Sequence, residues 1–429
     1  MKYAHITFAI LALVSLSMSV DVFGQQSRSA GSANASPAWV QLAKLSSSDP
    51  KAYGNGGSVA ISGNVIVVGA PGTFGGGLAS VFVMPGGGWG NTTETAFLRP
   101  SDKPPGSNFG NSVAISGSVI AVGAPFSPPN LGGAVYVFVE PSGGWKGTVT
   151  ETAKLTPSDA TPNGGMGWSV AITGNTIVAG SPYQGNSAGG VYVFTKPSGG
   201  WTSATQTAKL VASDGQANQY FGTSVSVSGG VIVVGSPYAT VGNTKEQGAA
   251  YVYVEPAAGW SNTTQTAKLA ASDGQQYDDL GQSVSISGQA VAAGAFGQGA
   301  GAVYVFVESA GGWINATQTA KLTAAGGNAG DELGASVAIE GNFIVAGAPW
   351  FSPSNNQKFF HEGAGYIFVK PATGWANEMQ TATLTGSDAR LGAYLGTSVA
   401  ISGNTTVSGA SFNNYNLGAT YVFSTFAGQ

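Results

Sequence analysis

The chain has 429 residues, of which 67 are Gly and none is Cys, with 8% charged residues, 43% hydrophobic residues and a formal net charge of −4. This excludes a disordered polyelectrolyte, a collagen-like fibre (no Gly-X-Y period runs through the chain) and a disulfide framework. A mildly acidic chain also lacks the basic footprint that nucleic acid or an anionic membrane surface would require.

Residues 1–24 read as a secretory signal. Lys2 supplies the positive start, residues 6–20 an apolar run, and Val22-Phe23-Gly24 a cleavage site before Gln25. The run is shorter than a span of about 20 apolar residues, and no later segment approaches that length. The expected product is exported, with its signal removed, and either secreted or held at the cell surface. Residues 25–37 are small and polar and read as a flexible lead, and residues 38–429 as the folded region.

Trp39 to Leu45 reads as a strand standing alone. Its Ala-Lys-Leu recurs at 153–155, 208–210, 267–269 and 320–322. Next comes Ser-Val-Ala-Ile-Ser-Gly-Asn from Ser58, the first of seven near-copies. The others begin at Ser112, Ser169, Ser224, Ser283, Ser336 and Ser398, spaced 53 to 62 residues apart. A period of this size is the signature of a repeat architecture.

The second unit shows the pattern. Residues 112–116 alternate apolar Val113 and Ile115 with small residues, 119–123 form an apolar run, 133–140 place Val and aromatic residues on opposite faces, and 152–155 complete four extended segments. Ser116-Gly117-Ser118, or Ser-Gly-Asn elsewhere, suits a tight hairpin turn. Four antiparallel strands, apolar on both faces and repeated seven times, predict an all-β, seven-bladed β-propeller. The seventh unit reaches only its third strand at Tyr421-Val422-Phe423, so the strand at Trp39–Leu45 should complete the last blade and close the ring. The outer-strand lysines (44, 154, 209, 268 and 321) read as solvated rim charges. Trp89, Trp145, Trp201, Trp260, Trp313 and Trp375 read as recurrent packing residues; Trp39, only four residues before Ala43, falls outside that series.

Phe109-Gly110 before one first strand and Gly123-Ala124-Pro125 after the second resemble the FG-GAP repeat. So do Phe221-Gly222 with Gly235-Ser236-Pro237, and the looser Leu333-Gly334 and Leu395-Gly396 pairs. The resemblance is to the bacterial branch of that family and, in outline, to the propeller of integrin α subunits. It implies the propeller fold and leaves activity open, since the family includes adhesion receptors and phospholipases. In integrin-like repeats an Asp-rich loop between first and second strands binds calcium. Here that loop is a turn such as Ser62-Gly63-Asn64, too short and without carboxylates, so no calcium is expected there.

Two sets of loops should share one face. Those leading into each first strand carry Ser-Asp in six units, at Asp49, Asp102, Asp159, Asp214, Asp273 and Asp388, where Asp favours a turn role. Asp273, Asp278 and Asp279 are the single weak metal candidate; no metal or cofactor is otherwise expected. The loops between second and third strands vary most, and varied loops on a rigid scaffold are where binding is placed. Their aromatic residues Phe126, Tyr183, Tyr238, Trp350, Phe351, Phe359 and Phe360, with His361, form the candidate ligand-binding set. The competing reading is that these rings fold down and plug the blade ends. One His outside the signal, no Cys and no carboxylate pair set apart from the repeats leave no catalytic constellation. The expectation is a monomeric, non-catalytic binding or adhesion scaffold for a protein or glycan. An exported enzyme degrading polysaccharide or lipid on the same scaffold is the alternative.

Overall fold

Seven antiparallel sheets succeed one another along the chain, each beginning at one of the Ser-Val segments. The computed structural model describes residues 38–73, 75–102, 104–128, 131–352, 361–388, 392–413 and 417–425. The signal at 1–24, the lead at 25–37, and Phe359 and Phe360 lie outside the described residues. The protein is an all-β, seven-bladed propeller with almost no helix.

Blade two illustrates the plan. Its strands Ser112–Ser116, Val119–Ala124, Ala134–Val139 and Ala153–Thr156 pair in that order from the axis outward. The innermost hairpins turn through Gly63, Gly117, Gly174, Gly229, Gly288, Gly341 and Gly403, all at φ between 52° and 57°, a left-handed conformation that Gly adopts at least cost. The ring closes as expected. Trp39–Leu45 runs antiparallel to Ala419–Thr425, with Lys44 opposite Tyr421, as the outer strand of blade seven.

The blades are joined by three devices that cross from one unit to the next. Around the axis, Ser58, Ser112, Ser169, Ser224, Ser283, Ser336 and Ser398 each donate a side-chain hydrogen bond to a Gly carbonyl of the following blade, at 2.7 to 2.9 Å. That carbonyl belongs to the Gly that follows Phe or Leu in five units, Met166 in blade three and Asn55 in blade one. It sits against the Cα of the Gly in the preceding blade's Gly-Ala or Gly-Ser segment. The two halves of the FG-GAP signature are therefore opposite sides of one backbone contact.

At the rim, a Glu or Gln two residues before each outer-strand Ala reaches back to the preceding turn. Glu151 accepts from Ser101, Gln206 from Ser158, and Gln41 from Ser387 across the closure.

The third device is a fifth strand that the sequence reading does not foresee. Gly147–Val149, Ala204–Thr205, Thr263–Thr264, Ala316–Thr317 and Glu378–Met379 each pair parallel to the outer strand of the blade before. Edge protection at the rim thus comes largely from pairing rather than from exposed lysines.

The lysines are not solvated rim charges. Lys44, Lys154, Lys209, Lys268 and Lys321 each bridge a Ser-Asp carboxylate (Asp388, Asp102, Asp159, Asp214 and Asp273) at 2.5 to 2.6 Å. Each ammonium also lies over a third-strand Tyr ring, 5.1 to 5.8 Å from its centroid. The Tyr hydroxyl donates to the same Asp, as Tyr192 does to Asp159 and Tyr304 to Asp273. The aspartates therefore bind side chains across the blade as well as shaping their turns. For Asp159, Asp273 and Asp388, burial raises the pKa, but hydrogen bonds from Lys and Tyr outweigh it and hold the carboxyl below its ordinary value.

Among the described residues the core lies between blades, in seven large apolar clusters and a small eighth of Ala52, Ala70 and Leu78. Trp145, Trp201, Trp260, Trp313 and Trp375 are each buried in one, and Trp89 packs against another. Trp39 corrects the sequence reading: it packs in the cluster between blades six and seven, its ring 5.8 Å from that of Phe343. It does the work of the seventh Trp despite its different spacing, because it approaches along the outer strand rather than from a hairpin.

The seam between blades seven and one is chemically distinct. Asn55 stands where the other units place Phe109, Met166, Phe221, Leu280, Leu333 and Leu395, and it is fully buried. Neither its Nδ2 nor its Oδ1 has a partner, and the same holds for the buried hydroxyls of Ser80 and Thr420 in the strands beside it. Ser80 occupies the third-strand position that holds Tyr136 in blade two.

Candidate functional site

The turns leading into the first strands and the loops between second and third strands meet on one face. Phe126 N–H, for example, donates to the Ser107 carbonyl, and Tyr220 N–H to Ser187. Seven equivalent positions on this face immediately precede the Phe-Gly or Leu-Gly pair or its counterparts Asn55-Gly56 and Met166-Gly167. All are left-handed: Gly54, Asn108 and Gly165, then Tyr220, Asp279, Glu332 and Tyr394, at φ of 54° to 74°. Gly and Asn suit this conformation. Asp tolerates it, while Tyr and Glu hold it at a cost of roughly 1 kcal/mol or more.

The two tyrosines anchor two aromatic groups. Trp168, Tyr183, Tyr220 and Tyr238 form an edge-to-face chain with centroid distances of 5.2, 5.7 and 5.3 Å. Trp168 also lines the open cavity of about 200 Å³ at the axis. On blades six and seven, Trp350 lies 5.0 Å from His361 and 6.0 Å from Tyr394, which meets Phe412 at 5.4 Å. Trp350 is 44% exposed, Phe412 52% and Tyr238 37%. These rings face solvent instead of plugging the blades, an arrangement in which aromatic faces and edges remain free for a ligand.

Of the candidates read from sequence, Tyr183 and Tyr238 come together in the first group and Trp350 and His361 in the second. Phe351 does fold down, meeting Tyr366 edge-on at 6.1 Å within the cluster between blades five and six. Phe126 is half-buried and joins neither group. Trp168, Tyr220 and Tyr394 escape the sequence reading because they flank a pair read purely as scaffold. For Tyr220 and Tyr394 the visible signal is the change at the position before the pair, from Gly and Asn in the first three units to Tyr, Asp, Glu and Tyr in the last four; Trp168, which follows its pair, has no such signal.

Between the aromatic groups lie Glu246, Asp278, Asp279, Asp331 and Glu332. The metal candidates Asp273, Asp278 and Asp279 are not drawn together around one point. Asp273 is taken by Lys321 and Tyr304, while Asp278 accepts from the Gln275 backbone and from Gln298. Among the described residues no group of three or more His, Cys, Asp or Glu could hold a metal ion.

Asp279 is the outlier. It is 8% exposed, and its Oδ1 has no hydrogen-bond partner. Burial, then the like charges of Asp278, Glu246 and Glu332, push its carboxyl up to about 7. An acid with a folded pKa above its ordinary 3.8 holds its proton more tightly when folded. Its contribution to stability is complete below pH 3.8 and is lost as pH rises towards about 7. Asp279→Asn, neutral throughout, should therefore raise the melting temperature more at about pH 8 than at about pH 5. Equal shifts at both would show that the buried charge is not the cause.

The repeat family that matches the chain agrees with the architecture. The FG-GAP repeat model matches residues 39–83, 92–138, 149–194, 204–253, 263–306, 316–368 and 379–423. Each match runs from the start of the outer strand of one blade, or a few residues before it, to the third strand of the next. The computationally designed Ika8 protein is similar at 14% identity with a TM-score of 0.47, over 90% of this chain and 99% of that one. No curated protein matches the chain. With seven repeats matched across most of its length, each ending on the third strand of a blade, the chain belongs to the FG-GAP repeat family.

Proposed function

We propose that this propeller is a monomeric, non-catalytic binding or adhesion scaffold, exported and secreted or held at the cell surface, that recognises a protein or glycan through the loop face of blades three to seven. The observation that carries this reading is the pair of solvent-facing aromatic groups, each anchored by a Tyr in a left-handed conformation (Tyr220 and Tyr394). Backbone strain kept at equivalent positions, where Gly would relieve it, is a mark of functional sites. The reading as exported rests on Lys2 and the apolar residues 6–20.

The test is the double variant Tyr220→Gly/Tyr394→Gly, which installs the residue found at Gly54 and Gly165, screened against immobilised glycans and surface proteins. A ligand of the intact protein should bind at least about tenfold more weakly to the variant, with the fold retained. Unchanged binding would remove the aromatic face from the function. The enzymatic alternative has one observation in its favour: a carboxyl with a pKa of about 7 is poised for acid–base chemistry. Turnover of a polysaccharide or lipid by the intact protein, abolished in Asp279→Asn, would establish it in place of the scaffold reading.

A further inference from the structure

We propose that the stretch between the two aromatic groups binds the protonated amines of an amino-sugar polymer, with Asp279 and Glu332 as successive ammonium partners. This rests on the binding-face reading above and adds the chemistry of the ligand.

The six Ser-Asp carboxylates of the turns all have a Lys or Arg partner. On the same face and among the described residues, Glu246, Asp278, Asp279, Asp331 and Glu332 form no ion pair. Asp278 and Asp331 are satisfied by backbone N–H groups, and Glu246 accepts from Gln276. Asp279 and Glu332 accept no such side-chain or turn hydrogen bond, and Asp279 hides an unpartnered oxygen while nine-tenths buried. A carboxylate removed from water without a cation is costly, and a cation delivered by a ligand is what would offset it. Glu246, Glu332 and Tyr238 all lie close enough to Asp279 to feel its charge. An ammonium there would meet both carboxylate and aromatic face.

Asp279 and Glu332 occupy equivalent left-handed positions on consecutive blades, five and six, and Tyr220 and Tyr394 the same positions on blades four and seven. The order around the ring is thus aromatic, acid, acid, aromatic. A repeating polymer with a cation on each sugar and apolar sugar faces fits this order: ring faces stack on the aromatics, and amines meet the acids. An uncharged glycan would leave Asp279 unpaired.

The full-length protein is titrated calorimetrically with the hexasaccharide of glucosamine and with its fully N-acetylated counterpart. The free-amine sugar should bind at least about tenfold more tightly, with affinity falling as salt is raised from about 0.02 M to about 0.5 M. Asp279→Asn/Glu332→Gln should abolish the preference while keeping the melting temperature at or above that of the parent. Equal binding of the two sugars overturns the amine inference. If that binding is also lost in Tyr220→Gly/Tyr394→Gly, the glycan-face reading stands alone. Full affinity for the free-amine sugar in Asp279→Asn/Glu332→Gln overturns the inference too, as does binding of neither sugar.

Discussion

Gly235→Ala is expected to destabilise the ring by about 4 kcal/mol, among the largest effects of any single methyl group in the molecule. Gly235 lies on the second strand of blade four, in the Gly-Ser-Pro half of the signature. A Cβ built there would overlap the carbonyl oxygen and carbon of Gly281 in blade five and the hydroxyl oxygen of Ser224. All are fixed: the Gly281 carbonyl accepts from Ser224 at 2.8 Å, and Gly281 N–H donates to Gly294 at 2.9 Å. Relief requires the two blades to separate at the axis, which breaks that hydrogen bond and loosens the apolar cluster beside it. Gly117→Ala is the control. It has a φ of 56° but nothing within 4 Å of the added methyl, so only the left-handed conformation is penalised, by about 1 kcal/mol. Chemical denaturation of the two variants should separate them by about 3 kcal/mol. A Gly235→Ala variant as stable as Gly117→Ala would mean that the blades do not touch through this glycine.

Asn55→Leu is expected to act in the opposite direction, stabilising the protein by about 2 kcal/mol. Two buried amide atoms without partners each impose part of their desolvation cost on the native state. Leu removes both and supplies the apolar side chain that three other units carry at the same place, fully buried, in Leu280, Leu333 and Leu395. Room exists because the neighbouring third-strand residue is Ser80 instead of a Tyr. A raised melting temperature with unchanged ligand binding is the expected result. A lowered one would show that Asn55 is satisfied by water held in the seam, together with Ser80 and Thr420.

Periodicity makes most of the architecture legible in the sequence, because each blade repeats a Ser-Val-Ala-Ile-Ser-like hairpin and a third strand apolar on both faces. What it concealed are contacts between units. Ala204–Thr205 is too short and polar to read as a strand until the outer strand of blade two is beside it. Lys209 looks solvated in a linear reading because its partners Asp159 and Tyr192 lie on other segments of the blade. The spacing of Trp39 sets it outside the Trp series, whereas its burial depends on where the outer strand delivers it. At the candidate site, loop variability pointed to Tyr183, Tyr238, Trp350 and His361. Trp168, Tyr220 and Tyr394 sit beside the most regular residues of the repeat, and regularity masked them.

Closure by Trp39–Leu45 also sets a clock on folding. Gln41 must find Ser387, 346 positions away, and its strand must pair with the last strand the structure describes. Loop-closure entropy grows only logarithmically with length, so this separation taxes the rate far more than the final stability. Until synthesis reaches that strand, a stack of finished blades waits with two bare apolar ends. The early strand remains an unpaired β-edge available to any other chain. The half-life of that interval, more than the strength of the finished ring, should decide how much newly made protein escapes aggregation.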